Sequence, residues 1–417
     1  MNDHATQKTA GIVLTACVLL NFSIGVLYAW SVIKSKLMAP ISAGGWEWTS
    51  SQAGLPYNIT IIVFATAMLF GGRLQDKIGP SRVVMAGGIL AGIGMILSGF
   101  VGNSVPGMIL CFGVITGTGM GFGYGSVTPP ALKWFHSGKK GLISGLVVAG
   151  FGISAVFYAP LTTALLSRLG IQTTLIYIGI GVLIASVTVS LFIKNPPPGY
   201  IPPEPARIKQ SLIKTTPAVD YTRMEMLKTK RFYLMFVMFL LTASVGLMFI
   251  GSMTRIAQSQ TRITDAAVLA MLVAFLAIMN TAGRVIGGMI SDKIGRIKTL
   301  YLIFAVQMLN MGAFVFYQNL PMLIIGIIGV GFCFGTLLSV FPALTADQYG
   351  LKNIGANYGI MFMAWGFAGI VAPVIANNLY DRYGNFNSAY IICAIMMAVM
   401  IFVNYLLQKD IAARSKI

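Results

Sequence analysis

One arginine lies where a charge is expensive. Arg284 sits inside an apolar run that begins near Ala266, about eight residues, or roughly 12 Å of helix, before the run stops at Asp292, Lys293, Gly295 and Arg296. A bare cation at such depth costs several kcal/mol in hydrocarbon. Snorkelling is disfavoured by the distance, and no acid is placed to pair with it. Asp3, Glu47, Asp76, Glu204, Asp220, Glu225, Asp265, Asp292, Asp347, Asp381 and Asp410 all fall at the ends of apolar runs or between them. The expected counter-charge is therefore an anionic ligand, gripped bidentately if it is a carboxylate. Asn280 precedes Arg284 by one helical turn on the same face, where its amide can bond a ligand oxygen or a neighbouring helix.

The remaining reactive residue types form no catalytic set. A membrane enzyme needs a nucleophile with a base, or a metal cluster, within the bilayer. His4 and His136 lie outside the apolar runs, while Cys17, Cys111, Cys333 and Cys393 lie inside them without metal-ligand spacing. The cysteines are expected to be reduced packing residues. Neither an enzyme nor a cofactor is expected.

The elements that must hold Arg284 and Asn280 are membrane helices. The chain is 56% hydrophobic and 10% charged, where a soluble globule carries about a quarter charged residues. Twelve runs reach the roughly twenty residues that span a bilayer core: 11–33, 52–74, 83–102, 107–133, 140–166, 171–193, 232–254, 266–290, 298–317, 320–346, 354–379 and 387–408. The first follows a polar start, Met1 to Thr9, and is too long for a cleavable signal. The net charge of +18 is spread over short connections, so it points to the lipid bilayer and not to a nucleic acid partner. The Pro-rich, basic segment 194–231 separates a six-helix half, 1–193, from a second, 232–417. Most Lys and Arg fall on the side that holds this central loop and both termini, which predicts a multi-pass protein of the cell (inner) membrane with cytoplasmic termini.

The halves repeat one another. Asp76-Lys77-Ile78-Gly79 returns as Asp292-Lys293-Ile294-Gly295, "GFGYGSVTPPAL" from Gly121 as "GFCFGTLLSVFPAL" from Gly331, and "ISGLVVAGFG" as "NYGIMFMAWG". Two such halves read as a transporter with its site between them near the midplane. Glycines 117, 119, 121, 123 and 125 look like a dinucleotide loop, but that loop needs a preceding strand and a βαβ unit. Close helix packing is expected of them instead.

The doubled turn Gly-x-x-x-Asp-Lys-x-Gly resembles the signature loop of the major facilitator superfamily, which implies an all-α membrane fold of twelve transmembrane helices in two pseudo-symmetric halves. It also implies structural or gating roles for Asp76, Lys77, Asp292 and Lys293. The tracts "YAW" (Tyr28 to Trp30), "YG" (Tyr124, Gly125), "KWFHSGKKGLISGLVVAGFG", "NTAGR" and "NYGIMFMAWG" resemble the bacterial oxalate/formate antiporters and the related monocarboxylate (lactate/pyruvate) transporters. The resemblance implies that Arg284 holds the substrate carboxylate and that Tyr28 and Tyr124 line the cavity. Phe334 and Trp365 are expected to complete its apolar wall.

Two departures from that pattern refine the expectation. Oxalate carriers place a second cation on helix 11, where this chain has Trp365, and a dianion facing one buried cation would keep an uncompensated charge. Animal monocarboxylate transporters have an Asp four residues before the arginine and a lysine in helix 1; here Asn280 stands in the first place, and "YAWSVIKSK" has no lysine before Lys34. A proton would then travel on the substrate's own carboxyl group. The expected function is secondary transport of a small monocarboxylate of the L-lactate or pyruvate type, as a proton symport by a monomer. The alternative is exchange of organic anions of the oxalate/formate type.

Overall fold

The computed structural model describes residues 3–202 and 220–414, so the expected central loop is seen at its two ends, and Glu204 lies outside the described residues. Among the described residues there is no strand. Eleven helices among these residues are long and apolar enough to cross a membrane. One of them, Ser137–Ser190, holds 54 residues and breaks at Gly170, whose φ of 74° lies in the left-handed region that favours glycine. It therefore supplies two spans.

The twelve expected runs each fall on one helix. These are α1 (Gln7–Met38), α2 (Ser50–Ile78), α3 (Pro80–Phe100), α4 (Val105–Trp134), α5 (140–169), α6 (171–190), α7 (Lys230–Thr261), α8 (Ala266–Ile294), α9 (Arg296–Phe314), α10 (Leu320–Tyr349), α11 (Ile354–Tyr383) and α12 (Asn387–Arg414). Local chemistry sets the ends. Thr49 and Gln52 form a capping box at the start of α2, and the Asp265 carboxylate accepts the N–H groups of Ala267 and Val268 at the start of α8. The repeated turn is repeated in the backbone as well: Gly79 has φ 90°, ψ 154° and Gly295 has φ 91°, ψ 153°.

The chain forms two compact units. Unit 1 comprises Met1–Phe135, Gly150–Ile201 and Asn353–Phe362, and unit 2 comprises His136–Ala149, Pro202–Lys352 and Met363–Ile417. The first turns of α5 thus belong to unit 2, and those of α11 to unit 1.

In unit 1 the glycine run of α4 is divided by helical geometry. A Cβ at Gly117, Gly121 or Gly125 would strike Thr60, Phe64 and Met68 of α2, whereas one at Gly119 would strike Gly87 and Ala91 of α3. Small residues are what allow helices in lipid to approach so closely. The run is a packing device, as expected.

Candidate functional site

In unit 2, α8 lies between two helices that present glycine to it. On α10, a Cβ at Gly335 would stand 1.9 Å from the Asn280 carbonyl oxygen and 2.8 Å from the Arg284 nitrogen. On α5, a Cβ at Gly145 would stand 2.1 Å from the Arg284 carbonyl oxygen, and one at Gly141 2.4 Å from that of Gly288. No side chain fits at these places. The backbone around Arg284 is therefore fixed from both sides by main chain, which leaves its side chain as the part free to interact.

That side chain is 1% exposed. Its Nε donates to Asn280 Oδ1 at 3.1 Å, and its Nη1 donates to the main-chain oxygen of Val148 on α5. Among the described residues it pairs with no carboxylate. A guanidinium has five N–H groups, and two neutral acceptors leave three for a ligand. Asn280, also buried, bonds Arg284 itself; its amide fixes the orientation of the cation. The arrangement is a desolvated positive charge with spare donors, which is chemistry suited to holding an anion.

Of the other expected cavity residues, Phe334 and Trp365 are buried in unit 2 with Arg284 and Asn280. Phe334 fills the space that Gly246 of α7 leaves open, where a Cβ would come within 2.2 Å of the ring. Tyr124 belongs to unit 1, buried among Phe64, Phe151 and Phe362 at ring-centroid distances of 5.4, 5.3 and 5.3 Å. Tyr28 falls in the 3-10 turn Gly25–Ala29 within α1, and its side chain lies outside the described residues.

Each charged turn binds the start of a helix. Asp292 accepts the N–H groups of Gly141 and Leu142, at 2.8 and 2.7 Å, at the beginning of α5. Asp76 accepts that of Ala356, at 2.9 Å, at the beginning of α11. Carboxylates at helix N-termini satisfy otherwise orphaned donors and oppose the helix dipole. The cations beside them are Arg296, 2.6 Å from Asp292, and Lys133, 3.9 Å from Asp76. Lys77 and Lys293 are exposed and form no ion pair among the described residues. Asp347 extends the unit 2 cluster, pairing with Lys140 at 2.9 Å and Arg296 at 3.1 Å.

Reading the sequence missed Arg296, Lys133, Asp347 and the Val148 carbonyl as site partners. Arg296 and Lys133 were visible as charges at the ends of apolar runs. A main-chain acceptor such as Val148 has no side-chain signature; only Gly141 and Gly145, one turn apart, hint that α5 approaches another backbone.

Comparison with known proteins follows the same lines. The sequence pattern of the Major Facilitator Superfamily matches residues 11–319 and 301–416. The MFS-type transporter YhjX of Escherichia coli is 30% identical over 89% of this chain and 88% of its own. The oxalate:formate antiporter of Oxalobacter formigenes is 27% identical over 95% of this chain and 92% of its own. Among solved structures, the E. coli fucose:proton symporter FucP matches with a TM-score of 0.68 at 14% identity, covering 96% of this chain and 99% of that one. The human organic anion transporter MFSD10 matches at 0.69 and 12%, covering 97% and 100%.

Proposed function

The chain belongs to the major facilitator superfamily, and we propose that within it this multi-pass transporter carries a small monocarboxylate of the L-lactate or pyruvate type, together with a proton. The observation that carries this reading is Arg284, 1% exposed and paired with no carboxylate among the described residues. The three N–H groups it has left suit one carboxylate, and the other buried cations, Lys140 and Arg231, stand at the starts of α5 and α7, Lys140 already paired with Asp347. Asn280 holds the guanidinium in place and bonds the oxygen next to the carboxylate. Phe334 and Trp365, buried in the same unit as Arg284, shape the apolar remainder of the pocket. Asp76 and Asp292 serve the conformational cycle.

Proton coupling has no acidic relay to use, since the described carboxylates lie in loops or at helix ends, so the proton crosses on the substrate. Both termini and the central loop face the cytoplasm, and a monomer suffices. The similarity to an oxalate:formate antiporter along nearly the whole chain supports a second reading, exchange of one organic anion for another.

Uptake of labelled L-lactate into proteoliposomes free of internal substrate separates the two. Uptake that follows an inward proton gradient and vanishes with an uncoupler is expected. Uptake that appears only after preloading with an anion would make exchange the correct reading.

A further inference from the structure

We propose that the Val148 carbonyl is the resident stand-in for the substrate at Arg284, and that a bound carboxylate releases the start of α5 by taking over the guanidinium that holds it. The inference rests on the reading of Arg284 as the carboxylate site, and adds how occupancy of that site reaches a moving element.

The start of α5 is held along α8 at three levels. At the charged end, Asp292 caps Gly141 and Leu142. One to two turns further along, Gly141 and Gly145 seat the α5 backbone on Gly288 and Arg284. At the buried end, Arg284 Nη1 donates to Val148. This last bond falls two residues before Gly150, where α5 passes from unit 2 into unit 1. The arginine proposed to bind substrate thus also holds the part of α5 that is assigned with α8 and not with the rest of its own helix.

The bond to Val148 must weaken when an anion binds. A neutral carbonyl bonds a guanidinium through the latter's charge, and a carboxylate forms the stronger, doubly charged bond to the same group. It can displace the carbonyl from Nη1 outright, or neutralise the charge that made the carbonyl bond strong. Val148 loses little by release, because its oxygen remains available to the N–H four residues on within the helix. Arg284 without a ligand has no better acceptor and keeps its hold. The empty protein should therefore change conformation more slowly than the loaded one, so substrate waiting on the far side should accelerate transport.

The test is the rate at which a short bifunctional thiol reagent joins Lys139→Cys at the start of α5 to Ile294→Cys at the end of α8, both exposed positions. The native cysteines are buried and stay out of the reaction. Binding of L-lactate to the same double-cysteine protein is measured in parallel by calorimetry. Saturating L-lactate is expected to slow crosslinking about tenfold, the scale set by losing one hydrogen bond to a charged group. Arg284→Ala should show that slow rate without substrate and no response to it. Arg284→Met, similar in length but with no donor or charge, should do the same and serves if the alanine variant does not purify as a monodisperse species. Fast crosslinking in both variants overturns the proposal, as does calorimetric binding of L-lactate with no change in rate. Absence of L-lactate binding in the parent protein would instead remove the carboxylate reading, while the rates in the two variants would still decide whether Arg284 holds α5.

Discussion

Burying Arg284 with only an amide and a main-chain carbonyl for company leaves the folded protein to bear part of the desolvation of a charge. Removing such a group should stabilise the fold while destroying its use. Arg284→Met is expected to abolish L-lactate uptake and to raise unfolding free energy by about 1–3 kcal/mol without substrate. Saturating L-lactate should raise the melting temperature of the parent protein and leave that of the variant unmoved. A variant that melts well below the parent would mean the charge is compensated in the fold and serves structure. Trp365 argues the converse case. Trp365→Lys adds a cation to unit 2, so selectivity should shift toward dicarboxylates in competition assays; unchanged preference would count against the inference that one cation selects one carboxylate.

Helices α5, α8 and α10 place Arg284 through glycine, and this can be tested against a glycine of no consequence. Gly335→Ala puts a methyl group 1.9 Å from the Asn280 carbonyl, so α10 must move away from α8. A loss of about 1–3 kcal/mol is expected, with impaired transport, because the shift displaces the residues that carry the site. Gly312→Ala on α9 meets nothing within 4 Å and should be neutral or stabilising by up to about 1 kcal/mol, through helix propensity alone. Equal effects in thermal melts would refute the packing argument. The contrast also shows what could be read from the sequence and what could not. Helix number, the repeated Asp-Lys-Ile-Gly turn and the buried arginine follow from hydropathy and charge, which act along the chain. Which glycines touch backbone, and that Val148 supplies an acceptor, depend on how α5 and α8 meet. Pattern alone does not encode that meeting. Lys77 and Lys293 illustrate the same limit: the turn motif marked them, yet the cations beside Asp76 and Asp292 come from Lys133, distant in sequence, and from Arg296, beyond the turn glycine.

At the scale of the whole molecule, the repeat acts twice in the same way. Asp292 in unit 2 caps α5, which arises in the first half of the sequence, and Asp76 in unit 1 caps α11, which arises in the second. The distribution of basic residues leads to the expectation that each of these turns is cytoplasmic, so orientation is the premise on which any account of the cycle depends. It is open to a direct check. Ile201 is 85% exposed at the edge of the central loop, and Gln318 is exposed in the turn between α9 and α10. With cytoplasmic termini, alternate helices put these positions on opposite sides of the membrane. In intact cells a membrane-impermeant maleimide should label Gln318→Cys and spare Ile201→Cys, which should react only after permeabilisation. The reverse pattern would invert the topology and place Asp76 and Asp292 at the outer face. The start of α5 would then lie on the outer side, and its release by a bound carboxylate would be an event at the face turned to the medium in place of the cytoplasm.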